Sequence, residues 1–246
     1  MRGDVQVQRI IAFGYWLFIG ISSIYCFIIA CMIWLLTAWF DHQRVILHYF
    51  SSFWATLYLW IMPSLRITIH GRDKIKSNQT YVIVSNHQSQ LDILVVYRLF
   101  FPFKWVSKAE NKNIPIIGWM MKLNRYIIVQ RNDLSSIRKM IRDCQKTLAS
   151  GMSVYIFPEG TRSETGKIAH FKQGAFILAK KSNVPILPIV IQGTYNALPK
   201  HSIVIHGSHS IDIHILDEID CKLIQKMSSD AISKIVWKKM NSQIAH

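Results

Sequence analysis

The sequence predicts an α/β domain with a mostly parallel central sheet flanked by helices, preceded by an N-terminal pair of membrane-embedded helices. Three observations lead there. Short β-branched runs alternate with helical patterns after Pro63, chemistry-bearing residues fall directly after those runs, and two long apolar stretches come first. At 246 residues the chain has room for one sizeable domain plus an anchor. The expected division is residues 1–64 for the membrane helices and 65–246 for the α/β domain.

From Ile10 to Phe40 there is no charged residue, a stretch longer than the roughly 20 residues that cross a bilayer core as a helix. A secretory signal fits poorly, because its apolar region runs roughly 7–15 residues before a small-residue cleavage site. A second stretch, Val45 to Met62, carries no formal charge, ends at Pro63, and is separated from the first by Asp41, His42, Gln43 and Arg44. Two arrangements stay open here: a hairpin, or one spanning helix followed by one lying in the interface. Arg44, Arg66, Arg72, Lys74 and Lys76 flank the apolar region, which predicts the α/β domain on the cytoplasmic face.

The polar remainder is basic: 29 Lys and Arg against 14 Asp and Glu give a formal charge of +15. An anchored chain of this charge meets anionic lipid head groups before nucleic acid, so anionic membrane lipid is the expected partner and nucleic acid is not. The same charge suits other acidic or phosphate-bearing partners. Cys26, Cys31, Cys144 and Cys221 form neither a metal-ligand spacing nor a disulfide framework, as suits a reducing compartment.

Strands are expected at Arg66–His70, Tyr81–Ser85, Phe103–Ser107, Tyr126–Val129, Ser153–Phe157, Ile186–Gln192, Ser202–His206 and Ile211–Ile215. The clearest helix has Asn132 as its N-cap, places Ile137, Met140, Ile141, Cys144 and Leu148 on one face, and stops at Gly151. Arg138, Lys139, Arg142 and Lys146 occupy its other, solvated face. In such a fold the ligand site lies at the C-terminal ends of the strands.

The run Tyr81–Ser85 leads straight into Asn86, His87, Gln88, Ser89, Gln90, Leu91 and Asp92. On a continuous helix five residues turn through roughly 500°, so His87 and Asp92 pair only if the His lies in a turn and the Asp in the first helical turn. A carboxylate on one imidazole nitrogen leaves the other free to accept a proton. Taken alone, the pair reads more simply as a polar turn and a helix cap. A second block, Phe157-Pro158-Glu159-Gly160-Thr161-Arg162-Ser163, also follows a strand, with Gly160 permitting close backbone approach and Arg162 offering a planar fork for phosphate. A third, Val184–Ile189, carries Pro185 and Pro188 in a short apolar run of the kind that marks an edge strand.

Taken together and in this order, the blocks resemble the glycerolipid acyltransferase family, which includes the 1-acyl-sn-glycerol-3-phosphate (lysophosphatidate) acyltransferases. Asn86, His87 and Asp92 match its first motif, Gly118 through Arg131 looks like its second, Phe157–Ser163 matches its third and Val184–Ile189 its fourth. The resemblance implies that His87 is the general base and Asp92 its orienting partner. It assigns Lys108, Arg131, Glu159, Gly160, Thr161 and Arg162 to substrate binding. At Arg131 the match departs from the usual acidic residue before the motif-two Arg. Lys172, in the stretch after the third motif, reads as surface or packing.

The reaction so implied moves a fatty acyl group from acyl carrier protein or coenzyme A to the free hydroxyl of lysophosphatidate, giving phosphatidate. The thioester is already activated, so no cofactor and no metal are expected; His201, His206, His209 and His214 lack an accompanying Cys or carboxylate pattern. Other acceptors, of lysophosphatidylinositol or lysocardiolipin type, remain open within the family. Less favoured are a serine hydrolase using Ser85 or Ser89, which lacks a Gly-x-Ser-x-Gly elbow, and a non-enzymatic membrane-binding protein.

Overall fold

The computed structural model describes residues 2–62, 64–202, 205 and 207–244, with side chains from Phe13 onward. Its helices are α1 (Arg2–Thr37), α2 (Val45–Trp60), α3 (Leu91–Tyr97), α4 (Ile117–Leu123), α5 (Leu134–Ala149), α6 (Gly174–Ser182), α7 (Thr194–Ala197), α8 (Cys221–Gln225) and α9 (Ser229–Ile244). The strands are β1 (Leu65–His70), β2 (Val82–Ser85), β3 (Phe103–Lys108), β4 (Ile127–Val129), β5 (Ser153–Ile156), β6 (Ile186–Gln192) and β7 (His209–Ile215). The strand expected at Ser202–His206 falls partly outside the described residues.

Among the described residues one sheet of seven strands runs in the order β1-β7-β6-β2-β5-β3-β4. Every neighbouring pair is parallel except β6 with β7. Five strands, β2 to β6, therefore end on the same side. Side-chain alternation sends Val82, Val84, Val154, Ile156, Ile186 and Val190 into a buried cluster that includes residues of α5, α6 and α9. Tyr81, Ile83, Tyr155, Leu187 and Ile189 enter a second cluster with Ala55 and Leu59 of α2 and Leu91, Val95 and Val96 of α3. Both sheet faces are covered, as a parallel sheet requires.

The stretch Val184–Ile189 is not an edge. It opens β6, an interior strand paired with β2 on one side and β7 on the other. Pro185 contributes only its carbonyl, which accepts from Val82 N, so its missing N–H costs the ladder nothing there. In α5 the cap is Asp133, whose carboxylate accepts from Ser135 N and Ser136 N, and not Asn132, which sits at φ +69° just before it. Two residues of capping chemistry stand side by side, and the second is the one with extended backbone.

Both apolar stretches are helical, but they differ. Phe13–Thr37 has a mean hydropathy of 2.3, is long enough to cross a membrane, and has only 6 % of its apolar window buried. Its surface carries Phe18, Ile21, Ile24, Ile28 and Leu35 outward, which in water would be an unmanageable apolar face, so the protein associates with membrane through α1. The 16 residues of α2 span roughly 24 Å, short of a bilayer core of about 30 Å. One face of α2 is buried with the sheet cluster. The expected pair of membrane helices thus reduces to one helix of spanning length and one that is partly domain core.

Candidate active site

The end of β2 is held by Asn86. Its side-chain amide donates to the Ile191 carbonyl and its Oδ1 accepts from Ile191 N, both at 2.8 Å, tying this end of β2 to β6. The chain then turns, placing His87 outside the sheet and Asp92 as the second residue of α3. The His87 Nδ1 to Asp92 Oδ2 distance is 2.8 Å, with the carboxylate wholly buried and the imidazole slightly open. An ionised carboxylate only accepts, so Nδ1 carries the hydrogen and Nε2 presents a lone pair. Nε2 has no partner among the described residues.

Asp92 is held from several sides. Its Oδ2 also accepts from Gln88 N at 2.6 Å and Ser89 N at 2.8 Å, and its Oδ1 accepts from the Thr194 hydroxyl at 2.6 Å. Thr194 opens α7 just after β6 and is fully buried. Nothing in a lone threonine 102 residues away marks it as a partner, although the rule that site residues follow strands reaches it.

The Phe157–Ser163 block forms the other wall. Phe157 stacks on His87 with ring centroids 3.9 Å apart and planes 13° off parallel. Glu159, buried, accepts from His87 N at 2.7 Å through Oε1 and from Ala169 N at 2.8 Å through Oε2, and Ser163 N donates to the His87 carbonyl at 2.8 Å. Glu159 thus ties the His87 turn to the Ala169 backbone. Burial pushes its carboxyl up to about 7, although those two N–H donors pull the other way. Gly160 has φ +74°, and a Cβ there would stand 3.0 Å from Lys172 Cε and Nζ. Lys172 therefore lies over this turn.

A cavity of about 1290 Å³ opens beside His87. Its walls include Tyr15, Trp16 and Ile19 of α1, Trp54 and Tyr58 of α2, Met120 and Met121 of α4, and Ile137 and Met140 of α5. Lys108, Arg131 and Lys172 line it too. Lys108 is the last residue of β3 and lies 3.1 Å from Glu110; Arg131 follows β4. The second sequence block builds this wall: Gly118 packs where a Cβ would meet the Lys112 carbonyl oxygen at 1.9 Å, so only glycine lets α4 close against the preceding turn.

Of the residues expected to form the site, His87, Asp92, Glu159 and Gly160 are brought together, and Lys108 and Arg131 join them through the cavity wall. Thr161 is exposed, and Arg162, half-buried, is in the same loop but not among the cavity-lining residues. Lys172, expected as surface or packing, lines the cavity instead. The two candidate serines point elsewhere: Ser89 Oγ donates to the Leu198 carbonyl at 2.6 Å and Ser85 Oγ to the Asn86 carbonyl at 3.1 Å. A separate cluster, His70, Asp212 and His214, has ligand atoms within 4.8 Å of one another on the β1–β7 edge and is the group best able to hold a metal among the described residues. Asp212 and His214 share β7, and His70 meets them across the β1–β7 register, which spacing along the chain does not reveal.

A family model described as Acyltransferase matches residues 66–192. The chain is 40% identical over 166 residues to a 1-acyl-sn-glycerol-3-phosphate acyltransferase of Chlamydomonas reinhardtii, covering 67% of this chain and 49% of that one. It is 38% identical over 170 residues to the chloroplastic 1-acyl-sn-glycerol-3-phosphate acyltransferase of Arabidopsis thaliana, covering 68% and 47%. The chain thus spans about half the length of these curated relatives. Among solved structures it is similar to PlsC, the 1-acyl-sn-glycerophosphate acyltransferase of Thermotoga maritima, with a TM-score of 0.80, 22% identity, and 98% and 96% of the two chains covered. The matched stretch takes in His87, Asp92 and the Phe157–Ser163 wall and exceeds half of the sequence, so the chain belongs to the acyltransferase family.

Proposed function

We propose that the protein is a membrane-bound 1-acylglycerol-3-phosphate O-acyltransferase, carrying an acyl group from acyl carrier protein or coenzyme A to the hydroxyl of lysophosphatidate. The observation that carries this reading is the unpartnered Nε2 of His87 beside an apolar-walled cavity that reaches α1 and is lined by Lys108, Arg131 and Lys172. A lysolipid has that shape and charge: an acyl tail, a hydroxyl and a phosphate.

In this scheme the acceptor hydroxyl attacks the thioester carbonyl carbon while Nε2 takes its proton. Asp92 stabilises the imidazolium that forms. Collapse of the tetrahedral oxyanion breaks the carbon–sulfur bond, and the imidazolium returns its proton to the departing thiolate. Nothing in the sequence of steps calls for a cofactor or a metal. Lys108, Arg131 and Lys172, with Arg162 from the same loop as Gly160, hold the phosphate; Gly160 and Thr161 shape that loop and Glu159 fixes it to His87. Within residues 1–64, α1 serves as the membrane part and α2 joins it to the chemical part, residues 65–246. We place the catalytic face on the cytoplasmic side, where acyl carriers are made and where the cations flanking the apolar region belong.

Purified full-length protein in detergent, given acyl-coenzyme A or acyl carrier protein and a panel of lysophospholipids, tests this by mass spectrometry of the products. Phosphatidate as the dominant product supports the reading. Preference for a lysophosphatidylinositol or lysocardiolipin acceptor would move the protein elsewhere in the family, and free fatty acid from either donor, with no acylated lipid, would make it a hydrolase.

A further inference from the structure

A second cavity, of about 190 Å³, lies where the α1–α2 turn meets the domain, between His42 and Gln43 of the turn and Lys104, Arg125, Lys146 and Ser150. It stands apart from the His87 cavity: Lys104 and Lys108 are four residues apart on β3, roughly 13 Å, and Lys104 is at the opposite end of the strand. The turn is fastened here. Arg125 Nη1 donates to the His42 carbonyl at 3.0 Å, and Gln43 Nε2 donates to the Ser150 carbonyl.

The charge around this cavity is unbalanced. Lys104 is only 4% exposed, and among the described residues its ammonium has a single hydrogen-bond partner, the Asn124 carbonyl at 2.7 Å. Arg125 and Lys146, both exposed, make no ion pair with a carboxylate among the described residues. Asp41 is the nearby acid, but its oxygens accept from Val45 N and Ile46 N, both at 2.9 Å, capping α2. Burial pushes the Lys104 ammonium down to about 7, with Arg125 and Arg44 adding to the depression against Asp41. A buried ammonium facing further cations is costly unless an anion joins it.

We propose that this pocket binds a phosphate oxyanion, held by Lys104, Arg125 and Lys146. Its position at the turn of the apolar helices, beside exposed Trp39 and Phe40, puts it within reach of anionic lipid head groups as well as free phosphate. Seated there, the anion neutralises the domain cations against which the helix turn is fastened.

Equilibrium binding of inorganic phosphate and of dihexanoyl phosphatidylglycerol to the full-length protein in dodecyl maltoside tests this. A Lys108→Ala/Arg131→Ala/Lys172→Ala background removes the three cations that line the His87 cavity. One saturable class of site, weakened about ten-fold or more by Arg125→Gln or Lys146→Gln, is the expected result, each lost charge-assisted contact being of that order. Tighter binding of the lipid identifies a head-group site; equal or tighter binding of inorganic phosphate identifies a free-phosphate site. Both substitutions are at exposed positions, and melting midpoints establish that the variants fold. Absence of saturable binding, or binding indifferent to both substitutions, overturns the proposal.

Discussion

Asp92 meets His87 at 2.8 Å, yet that contact is one of four hydrogen bonds its carboxylate accepts, the others coming from Gln88 N, Ser89 N and the Thr194 hydroxyl. The carboxylate is fully buried, so each donor satisfies an oxygen that water does not reach and keeps it pointed at Nδ1. Thr194→Val removes the side-chain donor to Oδ1, a loss of about 1–3 kcal/mol for a buried acceptor. The expected outcome is a fall in kcat of about ten-fold with KM unchanged and a displaced pH profile, rescued by Thr194→Ser. A valine variant with the wild-type profile would show that Thr194 has no part in orienting the dyad.

Glu159 links stability to pH. Its folded pKa of about 7 lies above the unfolded carboxyl value of about 4.3, so the folded state favours the protonated form. Its contribution is complete below the unfolded value and is lost as pH rises through about 7, on the order of 3 kcal/mol across that window. Thermal unfolding in detergent should therefore give a midpoint that drops from about pH 5 to about pH 8. Glu159→Gln should flatten that slope and lower the midpoint throughout, because one amide nitrogen must then face a backbone N–H. Parallel slopes for the two proteins would mean that Glu159 stays ionised across the range.

The parts of this site that were legible in the sequence are local. His87, Asp92, Glu159 and Gly160 lie within short blocks that each follow a β-branched run, and strand alternation with helices gave the layer order. Partners joined by sheet topology were not legible. Thr194 reaches Asp92 only because β6 pairs with β2, and His70 meets His214 only because β7 inserts between β1 and β6. Lys172 reads in the sequence as surface or packing because its place over Gly160 depends on the loop between them folding back, with Lys172 N donating to the Pro158 carbonyl at 2.8 Å. The apolar count of α2 does not distinguish lipid from protein interior, and its buried face is with the domain.

If the cavity cations hold the acceptor phosphate as proposed, they should divide substrates by charge. Lys108→Ala, Lys172→Ala and Arg162→Ala should each raise KM for lysophosphatidate, a charge-assisted contact being worth roughly 1.5–3 kcal/mol, or about 10–100-fold. Monoacylglycerol, which has no phosphate, should lose little. Steady-state kinetics on both acceptors check this, and equal losses on the two would assign these side chains to folding or to the donor.

The two N-terminal helices should fail differently when removed. Deleting residues 1–62 strips Ala55 and Leu59 from the cluster holding Leu91, Val95 and Tyr81, so that protein should aggregate or melt far below the full chain. Deleting residues 1–37 leaves α2 in place; the expected product is folded but slower on bilayer lysolipid than on dispersed short-chain acceptor. Circular dichroism and the two assays separate these outcomes. Full-rate bilayer activity from the shorter deletion would remove any catalytic role for α1.

The central claim is that the imidazole of His87 takes the acceptor's proton, and the most direct measurement is single-turnover acyl transfer by His87→Ala against the wild type. Both are purified full length, with acyl-coenzyme A and lysophosphatidate saturating and the fold monitored by melting midpoint. Loss of roughly 10²–10⁴-fold in the transfer rate, with lysophosphatidate affinity retained, is the expected result. Near wild-type transfer by the alanine protein would contradict the assignment of His87 as the base.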